Sequence, residues 1–280
     1  MNALGPKAIR SRAIAVSALT ALVALGGCST GEEPTSSSSS AVVSAVPERL
    51  VVHIRSKFGH DPTVFTEGLD FAEDGTLFES GGNYGSSTIA TIDPATGKQI
   101  SVAPLEATMF GEGVAIAKDR VVQLTWKEQT AIVRDRNLLP QTTLAYDGEG
   151  WGLDYDAATN RFVMTNGSPS LVFRDPNTFT EMARVDVTRE GVPVRDLNEV
   201  EVVGSVAYLN VWHSSEILRV DLVTGRVTGV VDATELTKQS QRGPEAVLNG
   251  IAHRPSDPDN VLYVTGKNWV DAYEVEIVAA

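Results

Sequence analysis

A single cysteine, Cys28, stands among 280 residues, so no disulfide holds the fold together. Histidine is nearly as scarce. His53, His60, His213 and His253 are scattered, and none forms an H-x-H or H-E-x-x-H pair, which gives no support to zinc catalysis. Basic residues number 23 against 36 acidic ones, a formal net charge of −13. That balance argues against nucleic acid as a partner and against a polybasic membrane contact. No apolar run beyond residue 28 is long enough to span a bilayer,. Sustained helical periodicity is missing too, apart from a short polar stretch at about 232–241,.

What is present begins with an export leader. Lys7, Arg10 and Arg12 precede an apolar run, 13–25, that is too short for a stable spanning helix,. The run ends Leu25-Gly-Gly-Cys28, which resembles the lipobox of bacterial lipoproteins. Residues 1–28 are therefore expected to be a lipoprotein signal peptide, with Cys28 the lipid-bearing N-terminus after cleavage. An ordinary secretory signal with a stray thiol is the alternative. Losing Lys7, Arg10 and Arg12 with the leader would move the formal charge to −16. Residues 29–46 are rich in Ser, Thr, Glu and Pro, with five consecutive serines at 36–40. They read as a disordered tether that cannot bury enough apolar surface to fold. The remainder, 47–280, is in range for one all-β domain,. The protein is expected to be extracytoplasmic in a bacterial cell envelope, anchored to the membrane by the lipid alone.

Within 47–280 one pattern recurs. Phe110-Gly-Glu-Gly113 opens an alternating run through Val114 and Ile116, turns at Lys118-Asp119, and returns through Val121 and Leu124 to Trp126. This is a β-hairpin whose open end carries chemically distinctive residues. Similar hairpins start at 67, 151, 198 and 249, so the unit repeats every 40 to 50 residues or so,. A third strand ending in an acidic turn follows four of them, at Asp93, Asp135, Asp175 and Asp221. Several strands per unit at this period predict a β-propeller, here five-bladed and catalytic or binding at one mouth. The run Leu50-Val-Val-His-Ile-Arg55 precedes the first unit, and the last unit supplies only three strands. Pairing residues 50–57 with the C-terminal strand would close the ring and remove a sheet edge.

In such an architecture the first residues of each first strand and the last of each second strand ring one mouth of a central channel. The first set reads Glu67, Glu112, Trp151, Asn198 and Asn249. The second reads Gly81, Trp126, Asn166, Trp212 and Lys267, with Trp269 just beyond. Carboxylates, amides, a lysine and aromatic walls on one face make a pocket with convergent polar groups. Each member has a bland alternative: a tryptophan packs cores, an asparagine caps turns, and a lysine pairs with a surface acid. Glu67 and Glu112 are harder to explain structurally, because like charges at a narrow mouth raise each other's pKa. A bound cation or a carboxyl held for proton transfer would resolve them.

Phe65-Thr-Glu-Gly-Leu69, Glu79-Ser-Gly-Gly-Asn-Tyr-Gly85, Phe110-Gly-Glu-Gly113, Gln123-Leu-Thr-Trp-Lys127 and Gly148-Glu-Gly-Trp-Gly-Leu153 resemble the plant- and bacterial-type glutaminyl cyclase family. So do Pro193-Val-Arg-Asp-Leu-Asn-Glu-Val-Glu201, Asn210-Val-Trp212, Leu248-Asn-Gly-Ile-Ala252 and Val264-Thr-Gly-Lys267. The likeness runs over about 50–276, in order, through every unit. It implies a five-bladed propeller that converts the N-terminal glutamine of peptides or proteins to pyroglutamate, releasing ammonia without a metal or other cofactor, as a monomer. It further implies Glu112 as the acid/base, with Lys267 and Asn198 positioning polar groups or stabilising the oxyanion. Phe65, Phe110, Trp126, Trp151 and Trp212 would shape the glutamine pocket, and Glu67 would bind the α-ammonium. Glu67 stands where plant members tend to carry Gln, and the first unit's Gly81-Gly82 supplies no aromatic. Two other readings stay open. One is a non-catalytic binding propeller. The other is a calcium-dependent propeller hydrolase using Glu67, Glu112, Asn198 and Asn249 as oxygen ligands; a structural calcium in the channel is also compatible with the cyclase reading.

Overall fold

The computed structural model describes residues 46–280; the expected leader, Cys28 and nearly all of the tether lie outside the described residues. The chain enters on β1 (Glu48–Gly59). Three four-stranded antiparallel meanders follow. The first is β2 (Phe65–Phe71), β3 (Leu77–Gly82), β4 (Thr88–Ile92) and β5 (Gln99–Pro104). The second is β6 (Gly111–Ala117), β7 (Arg120–Thr125), β8 (Thr130–Arg134) and β9 (Pro140–Ala145). The third is β10 (Leu153–Asp156), β11 (Arg161–Met164), β12 (Ser170–Arg174) and β13 (Glu181–Asp186). A small hairpin, β14 (Thr188–Arg189) and β15 (Val192–Pro193), leads to β16 (Leu197–Val203), β17 (Val206–Val211), β18 (Glu216–Asp221) and β19 (Val227–Asp232). Helix α1 (Thr234–Ser240) precedes β20 (Leu248–Ala252), β21 (Val261–Gly266) and β22 (Asp271–Ala279). The last two groups share one eight-stranded sheet, ordered β16-β17-β18-β19-β1-β22-β21-β20, whose end strands lie beside each other. The described chain is all-β apart from α1.

The N-terminal strand does pair with the C-terminal one, antiparallel from Leu50 opposite Ala279 to Gly59 opposite Asp271. It also pairs in parallel with β19, Glu48 opposite Gly229 through Val51 opposite Asp232. One strand therefore covers two edges at once. The second and third strands of the first three units are buried on both faces, as in Val121-Val122 of β7 and Leu171-Val172 of β12,. Fourth strands such as β5 and β9 are mostly exposed. They contribute little to the core, and the repeat legible as three strands folds as four. The acidic turns close the third-to-fourth connections: Asp93 accepts from the Ala95 amide, Asp135 from Asn137 and Asp175 from Asn177.

First strands adjoin in a closed cycle: β2 on β6, β6 on β10, β10 on β16, β16 on β20 and β20 on β2. Each departs from regular pairing at the same point. Pairing in β2 slips between Thr66 and Gly68, in β6 between Gly111 and Val114, in β16 between Leu197 and Val200, and in β20 between Leu248 and Ile251. In the third unit Trp151 and Gly152 together face Thr165 by backbone hydrogen bonds. These are β-bulges, with one extra residue on the first strand that re-aims its side chain. The residue after the distinctive one is Gly68, Gly113, Gly152 or Gly250 in four units. A Cβ on Gly68 would lie 2.6 Å from the Val114 amide nitrogen, and one on Gly113 2.5 Å from that of Leu153. In the fourth unit the equivalent position holds Glu199, whose side chain reaches over to the Leu69 amide of β2 at 3.0 Å.

Gly113→Ala is expected to cost about 3 kcal/mol in urea unfolding, because the backbone it meets cannot move independently of the neighbouring strand. Gly243→Ala, where an added Cβ meets nothing within 4 Å, should stay within about 0.5 kcal/mol.

Candidate active site

The bulges turn the distinctive side chains of successive first strands toward one another. Glu67 and Glu112 come from adjoining strands and are both buried, 1% and 6% exposed. Lys267, one residue past β21, places Nζ 2.8 Å from Oε1 and 2.7 Å from Oε2 of Glu67. Asn249 Nδ2 adds a contact to Glu67 Oε2 at 3.3 Å and holds the Thr66 carbonyl at 2.9 Å. Glu67 and Glu112 lie close enough for the charge of Glu67 to act on Glu112,. Burial raises both, and Lys267 offsets much of that effect on Glu67. Glu112 is held well above the usual carboxylate range by burial and by the charge of Glu67, with Glu199 adding to the effect. The stronger upward push falls on Glu112, which favours its protonated form over that of Glu67,. Asn198, 3% exposed, leaves its Oδ1 without a hydrogen-bond partner in the protein.

Aromatic side chains wall this polar floor. Lys267 Nζ lies 4.6 Å from the centre of the Phe65 ring. Phe65 meets Phe110 edge-on at 6.4 Å, and Phe110 meets Trp126 at 5.6 Å and Tyr84 at 5.4 Å. Trp151 meets Trp212 edge-on at 5.9 Å, and Trp212 lies against His213 at 4.4 Å. The first unit lacks an aromatic at its mouth for a steric reason. A Cβ on Gly82 would run into Phe110, so the second unit's ring occupies that space. Two members of the expected ring take their bland readings. Asn166 caps its own turn through the Ser168 amide, and Trp269 is a fully buried core residue donating to the Ala246 carbonyl.

The chain matches the family model described as glutamine cyclotransferase over residues 19–277. The chain belongs to the glutamine cyclotransferase family. A family relative, the glutaminyl-peptide cyclotransferase of Arabidopsis thaliana, is 34% identical over 235 residues, which is 82% of this chain and 72% of the relative. The crystal structure of Myxococcus xanthus glutaminyl cyclase superposes with a TM-score of 0.78 at 36% identity, covering 84% of this chain and 99% of that one.

Three features of this family member escaped the sequence reading. Glu149 accepts from the indole Nε1 of both Trp126, at 2.8 Å, and Trp151, at 3.1 Å. Asp70, Asp154 and Glu201 each stand three residues beyond a distinctive first-strand residue, roughly 10 Å further along the strands. One carboxylate oxygen from each lies within 4.8 Å of the other two, beside a cavity of about 870 Å³. Burial raises all three, Asp154 to about 7, so the cluster holds protons or could hold a divalent cation. Three carboxylates with the spacing to hold a cation converge here, while both oxygens of Glu67 bond Lys267. Finally, His60 donates from Nδ1 to the Trp269 carbonyl at 2.7 Å and pairs through Nε2 with Glu79 at 2.6 Å. Glu79 also accepts from the Thr66 hydroxyl at 2.8 Å, which fastens the residue next to Glu67.

Burial alone would lower the pKa of His60, but the Glu79 charge and hydrogen bond outweigh it and the net shift is upward. A raised histidine stabilises the fold fully below its unfolded pKa of about 6.5 and loses that contribution as pH rises through the folded value. The gap in thermal midpoint between wild type and Glu79→Gln should therefore shrink as pH rises above about 6.5,. A gap constant over that range would show that His60 is neutral in the fold.

Proposed function

We propose that this chain is a glutaminyl-peptide cyclotransferase that closes the N-terminal glutamine of peptides or proteins into pyroglutamate and releases ammonia. The observation that carries the reading is the Lys267–Glu67–Glu112 group, two buried carboxyls beside one buried ammonium, at the floor of an aromatic pocket. Family membership and the activities named for the Arabidopsis and Myxococcus relatives agree with it.

The substrate's α-amine attacks Cδ of its own γ-carboxamide. The N–Cδ bond forms, the Cδ–NH2 bond breaks, and one proton passes from the amine to the departing nitrogen. Glu112 relays it: the protonated carboxyl gives its proton to the leaving group, and the resulting carboxylate takes one from the attacking amine. Glu67 acts mainly through Lys267 and Glu112, keeping the first charged and the second protonated. With both oxygens on Lys267 and Asn249, it meets the α-ammonium only as part of that group. Lys267 and the Nδ2 donor of Asn198 stabilise the developing oxyanion. Phe65, Phe110, Trp126, Trp151 and Trp212 hold the flexible side chain bent toward attack.

The same reading extends to architecture and address. The closed cycle of five first strands and the repeat of about 40 to 50 residues support a five-bladed propeller in which the eight-stranded sheet is two blades joined by β1,. The Leu25-Gly-Gly-Cys28 sequence supports a lipid-anchored, extracytoplasmic protein. Metal-independent turnover is supported by the Lys267 ammonium, which stands where a cation would otherwise neutralise Glu67.

Incubated with a Gln-Ala peptide, the purified protein should remove the mass of one ammonia at a rate unchanged by EDTA. Glu112→Gln should lower kcat by about 10²- to 10⁴-fold with the thermal midpoint retained. A fully active variant would sink the relay. Expressed in a bacterial host, Cys28→Ala should shift the protein from the membrane fraction to the soluble fraction, and an unchanged distribution would remove the lipid anchor.

A further inference from the structure

The aromatic wall has one break. Phe65, Phe110, Tyr84 and Trp126 form one run of ring contacts, and Trp151, Trp212 and His213 form another. Between Trp126 and Trp151 the link is polar. Glu149 Oε2 accepts from both indole N–H groups, at 2.8 and 3.1 Å. An indole nitrogen only donates, so two of them can converge only on an acceptor placed between them. The local chain enforces that placement: Gly150 donates its amide to the Trp126 carbonyl at 2.9 Å, and Gly148 takes a left-handed φ of +83° just before Glu149. A Cβ on Gly150 would meet the Thr125 carbonyl at 2.9 Å, so this segment is tied to the end of β7 by close backbone packing. The other oxygen of Glu149 faces Lys127 Nζ at 3.7 Å, and that ammonium lies 3.6 Å above the Trp126 ring. Trp126 is thus held at its edge by Glu149 and on its face by Lys127, the two holders being weakly paired.

We propose that Glu149 is a positioning residue for the cyclisation, a clamp that fixes Trp126 and Trp151 together and joins the two aromatic runs into one wall. It reaches the substrate through the indoles. This inference rests on the cyclase reading only for its kinetic consequence; the clamp itself is a statement about two side chains. Ring orientation sets how often the bent glutamine side chain is presented to its own amine. Loss of the clamp therefore falls on kcat more than on KM. The acceptor is what matters, and a glutamine carbonyl oxygen at the same place can take both indole protons.

The test compares wild type, Glu149→Ala and Glu149→Gln by kinetics with a Gln-Ala peptide and by the indole N–H signals of the four tryptophans in nitrogen–proton correlation spectra. In Glu149→Ala the Trp126 and Trp151 signals should move and exchange faster with solvent, while Trp269, bonded to the Ala246 carbonyl, should not move. Its kcat should fall about tenfold with KM changed less than about twofold. Glu149→Gln should restore both indole signals and kcat to within about threefold of wild type. Unmoved Trp126 and Trp151 signals in the alanine variant would overturn the clamp. So would a glutamine variant as impaired as the alanine one, since charge rather than acceptor geometry would then be at work. Absence of turnover in wild type would defeat the cyclase reading, and the indole signals would still decide the clamp.

Discussion

The close approach of neighbouring first strands governs everything else in this structure. At Gly68, Gly113 and Gly152 a Cβ would strike the backbone of the adjoining strand, so the sheets can come together only where a residue without a side chain sits. Each of those glycines follows a bulge, and the bulge aims the preceding side chain away from the pleat and into the shared space. Packing and site are one device here. The residue that chemistry needs and the glycine that packing needs are consecutive, which is why Glu67-Gly68, Glu112-Gly113, Trp151-Gly152 and Asn249-Gly250 recur as pairs. Asn198-Glu199 breaks the pairing. Glu199 uses the space left by the other four to bond the Leu69 amide of β2, placing a carboxyl under the floor of the pocket.

Burying several acids together forces a division of protons. Glu67 and Glu112 cannot both be charged in a dry site without compensation, and Lys267 supplies one positive charge. Its ammonium bonds Glu67, and the stronger upward push is left on Glu112. The cluster of Asp70, Asp154 and Glu201 has no ammonium within its ring of oxygens, and there burial raises every member. Burial thus raises the carboxyls of both groups, and a buried ammonium offsets part of the rise where it bonds Glu67,. The aromatic wall above Glu67 excludes water and strengthens the electrostatics of that pair.

Much of this was written in the order of residues. Alternation and the spacing of the hairpins specified an all-β chain of repeated units, because a strand's side-chain period and a repeat's length are properties of sequence alone. The orphan run at 50–57 and the three-stranded last unit required each other, and β1 does pair with β22. Glu67, Glu112, Asn249 and Lys267, spread over about 200 residues, were grouped because they hold equivalent positions in their repeats, and the structure brings their side chains into contact.

Tertiary structure decided the rest, for identifiable reasons. That β1 also joins β19 in parallel depends on which edge lies within reach, and an edge has no sequence signature. The absence of an aromatic at Gly82 becomes intelligible only when Phe110 from another strand is seen filling its place. Glu149 is one acidic loop residue among 36 acids, and only the convergence of two indole nitrogens sets it apart. Sequence alone determined which residues belong to which strand and which positions are equivalent, because those follow from local periodicity. The ammonium that bonds a buried acid, the ring that fills a gap and the acid that holds two tryptophans depend on distances between strands far apart in the chain, and folding alone sets those distances.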